Sequence, residues 1–152
     1  MRKFKDRFLK TAATPPQKAA ESSRSSPPSQ TPAISFPDGV KVLHNSDDAK
    51  VDICFVHGLT GNRDTTWTAK GQSQPWPQTL LAPQLQGARI LTYGYDAYVV
   101  KRSVVSSNRL IDHASNLLND LITDRASHGA SDCPLIFVTY SLGGLVCKEV
   151  IL

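Results

Sequence analysis

At 152 residues, the chain is long enough for one domain with a single buried core. Its hydrophobic content of 40% excludes a wholly disordered protein, and no stretch reaches the roughly 18 uninterrupted apolar residues of a transmembrane helix. The net charge of +4 is local, because five of the first ten residues are basic and one is acidic, whereas eight basic and eight acidic residues balance from Val51 onward. We therefore expect no nucleic-acid partner.

The three cysteines are an odd number and stand in or beside apolar runs. This pattern predicts small core residues in a reducing compartment rather than a disulfide framework. The sequence has no paired Cys/His spacing of a zinc site, so we expect no metal and no other cofactor. Basic residues recur where a secretory signal would need its apolar segment, which predicts an intracellular protein.

Residues 1–33 are predicted to form a basic, Pro/Ser-rich, disordered arm and linker. An alternative stays open, because Phe4, Phe8, Leu9 and Ala12 would share one face of a helix whose other face is basic. Such a segment could make peripheral contact with an anionic membrane or serve as a mitochondrial presequence.

The first predicted elements of the folded part are short strands. Residues 34–36 and 40–43 flank a Pro37-Asp38-Gly39 turn, since proline presets the first turn position and glycine accepts a positive φ. Val51–Val56 is an almost continuous apolar run, as in a strand buried on both faces of a parallel sheet. Loop residues follow, and Pro77 then suits the first turn of a short helix to about Leu81.

Two further strands are predicted, and each is followed by a helix. Residues 88–93 precede a helix of about twenty residues that ends near Ser127, with Gly129 suited to terminate it. Residues 134–139 lead directly into Ser141 and an apolar helix. Three strand–helix steps in succession predict an α/β fold with a doubly wound, mostly parallel sheet. We expect Val51–Val56, 90–93 and 135–138 to be adjacent parallel strands. The helix that ends near Ser127 is predicted to bury one apolar stripe, which contains Leu110, Ala114, Leu117, Leu121 and Ile122.

The segment around Ser141 is typical of a nucleophile elbow. Residues 139–144 read TYSLGG, directly after a buried strand and directly before a helix. In α/β-hydrolases, a serine in this context is the nucleophile, and small residues flank it because its backbone is strained and crowded. We therefore predict that Ser141 is catalytic and that the amide of Leu142 is an oxyanion donor at the helix N-terminus.

A second motif follows the first buried strand, where residues 56–59 read VHGL. The loop at this place supplies the other oxyanion donor in hydrolases of this class. We assign the donor to the amide of Leu59, with His57 and Gly58 supporting the loop. Four aromatic residues either line an acyl pocket or pack in the core and loops, and these are Trp67, Trp76, Tyr93 and Tyr95.

As a set, these motifs resemble the fungal serine esterases and the lipase-like domains that are similar to the serine active-site-containing protein. The resemblance covers residues 40–152 and is carried by HGLTG at 57–61, WTAKG at 67–71, WP at 76–77, LTYGYD at 91–96 and SLGGLV at 141–146. It implies an α/β-hydrolase fold, acyl-ester chemistry, a lipid-related substrate and a place in the cytoplasm or at a mitochondrial or endoplasmic reticulum membrane. Thr139 departs from the pattern, because a smaller residue usually stands there.

The catalytic triad runs Ser, Asp/Glu, His along such chains, yet after Ser141 the sequence contains one acid, Glu149, and no histidine. We therefore interpret residues 34–152 as the N-terminal part of a hydrolase domain, truncated after the elbow helix. A C-terminal half or fused domains would then be missing, and the chain alone is expected to be unstable and without useful activity. Two functions stay open, namely a serine esterase or acyltransferase and a hydrolase-fold binding or signalling module without chemistry.

Overall fold

The computed structural model describes residues 37–97 and 107–152. These belong to a compact unit, Ile34–Leu152. The basic arm over residues 1–33 and the strand predicted at 34–36 lie outside the described residues.

In the part of the chain that the structure describes, four strands form one mixed sheet. They are β1 (Gly39–His44), β2 (Val51–Val56), β3 (Ala88–Gly94) and β4 (Leu135–Thr139), in the order β1-β3-β2-β4. β2 is parallel to both β3 and β4, whereas β1 is antiparallel to β3. The predicted set of three adjacent parallel strands is therefore confirmed, and the fold belongs to the α/β class. The carboxyl ends of β2 and β4 lie side by side, since Val56 pairs with Thr139.

Within residues 37–97 and 107–152, two α-helices pack on this sheet, α1 (Ser107–Ser127) and α2 (Leu142–Ile151). Gly129 has a φ of 65° just beyond α1, in agreement with its predicted role at the helix end. The short helix predicted from Pro77 is a single π turn over Pro77–Leu81, followed by a 3₁₀ turn over Ala82–Gln84. Among the described residues, no helix combines the length and the hydropathy needed to cross a membrane.

Alternation along the strands divides the core between the two sheet faces. One face of β2, with Cys54 and Val56, packs against buried residues of both α-helices; the other, with Ile53 and Phe55, packs against the segment between β2 and β3. The residues that cover the first face are Ala114, Leu117 and Leu121 of α1 and Val146 and Cys147 of α2, and those that cover the second include Trp67 and Ala82.

The predicted apolar stripe of α1 is wrong at one position. Ile122 is 57% exposed, although Leu121 beside it is buried. Consecutive helix positions differ by about 100° around the axis, so a stripe centred on Ala114, Leu117 and Leu121 turns Ile122 away from the core.

A buried ion-pair network ties β2, β3 and α1 together. The carboxylate of Asp52 is fully buried and accepts from Arg125 Nε at 3.0 Å and from Arg89 Nη1 at 3.5 Å. Arg89 also pairs with Asp124. Charges this deep are tolerated because each has an opposite charge as a partner.

Candidate active site

Ser141 stands between the end of β4 and the start of α2, and its backbone is strained. Its φ of 52° and ψ of −120° lie in a region that L-residues rarely adopt. Within residues 37–97 and 107–152, it is the sole non-glycine residue with a positive φ. Its side chain is exposed and makes no capping hydrogen bond to α2. This conformation brings the hydroxyl to the surface at the carboxyl edge of the sheet.

Close backbone packing around the elbow depends on glycine. A Cβ atom on Gly143 would lie 2.5 Å from the carbonyl oxygen of Val56 and 2.6 Å from that of His57, and a Cβ on Gly58 would lie 2.9 Å from Ser141 Cβ. The two sequence motifs are therefore in direct contact. Contacts this short with a Cβ essentially never occur, so only glycine fits at residues 58 and 143.

Thr139 is accommodated through a third glycine. A Cβ atom on Gly144 would lie 3.3 Å from Thr139 Oγ1, whereas glycine leaves this space open. The threonine is also exposed rather than packed inside the elbow. The larger side chain at residue 139 therefore coexists with the strained turn at Ser141.

The amide of Leu142 begins α2. The next two amides are engaged within the turn, since Gly143 N–H donates to the Tyr140 carbonyl (3.1 Å) and Gly144 N–H donates to the Ser141 carbonyl (3.0 Å). Neither bond uses the Leu142 amide, which stands at the positive end of the helix dipole.

His57 is fully buried and holds its own loop. Its Nδ1 lies 2.8 Å from the carbonyl oxygen of Gly58, and its Nε2 accepts from the Tyr95 amide at 3.2 Å. Because an N–H donates to Nε2 and a carbonyl faces Nδ1, the proton resides on Nδ1. Burial lowers the pKa of His57, partly opposed by the hydrogen bond to Gly58. The imidazole is therefore neutral near pH 7, with both nitrogens engaged inside the loop.

No other described histidine lies against Ser141. The Nδ1 of His128 is bonded at the end of α1, 2.7 Å from the Asp124 carbonyl, and the His113 ring lies 5.0 Å from that of Tyr95. Glu149 is exposed on the last turns of α2. Within the described part of the chain, no hydrogen bond joins the Ser141 hydroxyl to a histidine or an acidic side chain.

The aromatic residues divide between core and surface. Trp67, Tyr93 and Tyr95 are buried, which favours the packing alternative for these three. Trp76 is partly exposed and forms an edge-to-face contact with Phe55 at 5.4 Å. Sequence reasoning missed that Tyr95 contacts His57, because 38 residues separate them and no motif links the two positions.

The buried cysteines Cys54 and Cys147 are not reactive nucleophiles. Burial raises the pKa of the Cys54 thiol, and it raises the pKa of Cys147 to about 12, so both thiols stay protonated near neutral pH. Within these residues, no group of three His, Cys, Asp or Glu side chains is arranged to hold a metal ion.

The sequence is similar to several animal proteins called Protein SERAC1. The human protein is 30% identical over 139 residues, which cover 77% of this chain and 21% of the relative. The mouse protein is 28% identical over 144 residues, covering 81% and 22%, and the bovine protein is 28% identical over 138 residues, covering 77% and 21%. The chain thus spans about a fifth of the length of these curated relatives. No protein-family model and no solved structure matches it.

Proposed function

We propose that this chain carries the nucleophile and the oxyanion hole of a serine hydrolase that cleaves or transfers an ester acyl group. One observation carries the proposal. Ser141 is held at φ 52° between a parallel strand and a helix, with its hydroxyl exposed. Strain of this kind costs about 1–3 kcal/mol and is concentrated at functional sites. If this serine had no function, a protein with an unstrained turn at residue 141 would be more stable.

The reaction follows from the groups at the elbow. Ser141 Oγ attacks the ester carbonyl carbon while its proton passes to a general base supplied from outside the described residues. The carbonyl oxygen becomes an oxyanion that accepts hydrogen bonds from the amides of Leu59 and Leu142. Collapse of this intermediate expels the alcohol, which takes the proton and leaves an acyl-serine. Water, or a second alcohol in a transfer reaction, then releases the acyl group.

A lipid acyl ester is the proposed substrate class. The motif set resembles lipase-like esterases, and that resemblance supports both this substrate and a site at a mitochondrial or endoplasmic reticulum membrane. The surface around the nucleophile agrees with an apolar ligand, since Tyr140 beside it is 58% exposed and Leu145 on α2 is 52% exposed. Apolar side chains exposed next to a catalytic group commonly bind apolar substrate.

A fluorophosphonate probe tests the proposal, because it reacts only with a serine that an enzyme has activated. The probe is applied to this chain and to the complete product of its gene, each as wild type, Ser141→Ala and Ser73→Ala. Ser73 is the matched control, an exposed serine in the segment between β2 and β3. Labelling that Ser141→Ala abolishes and Ser73→Ala retains would support the hydrolase. A folded wild-type gene product that takes no label would contradict it and favour the non-catalytic binding module.

A further inference from the structure

The start of the loop that follows β2 is held by Tyr95, which comes directly after β3. Tyr95 contacts His57 in three ways: its amide donates to His57 Nε2 (3.2 Å), its hydroxyl donates to the His57 carbonyl (2.9 Å), and the two rings stack at 4.4 Å and 15°. Both side chains are buried, so water does not compete for these hydrogen bonds.

These contacts fix two consecutive peptide planes. The Tyr95 hydroxyl fixes the carbonyl of His57, and therefore the plane that joins His57 to Gly58. The Nδ1–H of His57 fixes the carbonyl of Gly58, and therefore the plane that joins Gly58 to Leu59. In a trans peptide, the N–H points opposite to the carbonyl of the same unit. The direction of the Leu59 amide is consequently set by the His57 ring, together with the preceding peptide plane, which the Tyr95 hydroxyl holds in place.

We propose that Tyr95 is a positioning residue of the oxyanion hole, acting through His57 to aim the Leu59 amide at the substrate oxygen. The inference rests on the proposed function, because it assigns Leu59 as a donor to the oxyanion. It adds a residue that lies outside the segment around Ser141 and outside the motif at residues 56–59. Oxyanion donors act only when they are preorganised at the position of the developing charge, so a tilted peptide plane lowers the rate of the chemical step more than substrate binding.

Tyr93 provides a matched comparison. Its ring is also buried and lies 6.3 Å from the Tyr95 ring, but it lines a cavity together with Asp120, and its hydroxyl makes no hydrogen bond to the loop after β2. Replacing either tyrosine with phenylalanine removes one buried hydroxyl and keeps the ring. Only the Tyr95 substitution releases a peptide plane of the loop after β2.

The test compares Tyr95→Phe with Tyr93→Phe in the complete gene product. We expect Tyr95→Phe to lower both kcat for hydrolysis of a p-nitrophenyl ester and the rate of fluorophosphonate labelling about tenfold, with KM for that ester within about twofold of wild type. Loss of a whole oxyanion donor costs about 10²–10³ in kcat, and a misdirected donor costs part of that. Tyr93→Phe should leave both rates near wild type. Equal rates in the two variants would overturn the proposal.

Residual dipolar couplings measured by NMR report the direction of the Leu59 N–H bond and do not depend on catalysis. The coupling should differ from the wild type in Tyr95→Phe and match it in Tyr93→Phe. If the wild type takes no label, the proposed function fails, but an unchanged Leu59 coupling in Tyr95→Phe is what would refute the positioning role. Should Tyr95→Phe not fold, His57→Asn and His57→Ala replace it. Asparagine keeps a donor for the Gly58 carbonyl, so His57→Asn should label faster than His57→Ala, and equal rates would refute the role.

Discussion

The backbone of Ser141 gives the first prediction at the scale of single residues. At φ 52° and ψ −120°, glycine avoids a strain of about 1–3 kcal/mol but loses about 0.5–1 kcal/mol more in chain entropy than alanine. Ser141→Gly should therefore raise the free energy of unfolding by about 1 kcal/mol. Ser141→Ala, which keeps the Cβ atom and the strain, should leave it almost unchanged. Urea denaturation of both variants measures the difference, and a less stable glycine variant would show that the turn is not strained.

Gly58 gives a second prediction, about contact between the two motifs. A Cβ atom there would lie 2.9 Å from both Ser141 Cβ and the Tyr140 carbonyl oxygen. Gly58→Ala should push the loop away from the nucleophile, lower stability by about 1–3 kcal/mol and abolish fluorophosphonate labelling. Gly87→Ala is the control, since no atom lies within 4 Å of a Cβ at that position. Equal labelling of the two variants would contradict the contact.

His57 gives a prediction about pH. Burial lowers its folded-state pKa below the ordinary value of 6.5, so the unfolded chain binds a proton at a pH where the folded chain does not. The contribution of the neutral His57 to the free energy of unfolding is then fully present above pH 6.5, and it is lost as the pH falls below that value. His57→Asn cannot titrate, and its unfolding free energy should change less between about pH 6.5 and 5. His113, whose pKa burial also lowers, accounts for a remaining slope. A slope identical to that of the wild type would contradict this prediction.

The residues of the candidate site differ in how far the sequence reveals them. Ser141, Gly58 and Gly143 fall in short motifs, because the crowding that demands small residues acts between neighbours on the chain or at strand ends. Tyr95 contacts His57 across the pairing of β2 with β3. That contact depends on the register of two strands, which the sequence pattern does not specify. The catalytic role of Ser141 and the donor roles of Leu59 and Leu142 stay predictions.

At the scale of elements, the buried network of Asp52 and Arg89 predicts a large response to one substitution. Asp52→Asn removes the charge that faces Arg89 and Arg125 and leaves the buried Arg89 paired with Asp124 alone. A buried pair broken on one side typically costs about 3–5 kcal/mol, and because Asp124 stays in place, we expect a loss at the lower end of this range. Asp64→Asn, which breaks an exposed 2.5 Å pair with Lys41, should cost at most about 1 kcal/mol. Chemical denaturation measures both, and equal losses would show that the network adds nothing.

The apolar pattern predicted the strands correctly where both faces of the strand are buried. The predicted strands Val51–Val56 and 90–93 fall within β2 and β3, since both faces of these strands are covered and their sequences are almost continuously apolar. The pattern failed at Ile122, where an apolar residue is exposed. It was also insufficient between residues 77 and 84, because hydrophobic spacing does not distinguish a π turn from an α-helical one.

At the scale of the whole molecule, β4 ends the described sheet and lacks a protecting charge. Its sequence LIFVT is uncharged, and Ile136 is 49% exposed. Unprotected apolar edge strands pair with other chains. We expect the 152-residue chain to associate at micromolar concentrations and to bind a hydrophobic dye.

A charge on β4 tests this expectation. Ile136→Lys should reduce the association measured by analytical ultracentrifugation. Leu80→Lys, at a position that is 62% exposed in the short turn before β3, should not. Monomeric wild-type protein, or equal association in both variants, would show that β4 is not the associating edge.

The strained backbone of Ser141 also has a consequence for evolution. Under mutation and drift, substitutions that raise stability without loss of function spread freely, whereas costly residues are replaced once selection on them ends. Glycine at residue 141 would relieve the strain at a φ of 52°. A lineage released from the need for a hydroxyl would therefore be expected to drift towards glycine here. Glycine at this position in relatives that have lost activity, and serine in those that retain it, would be the mark of that history.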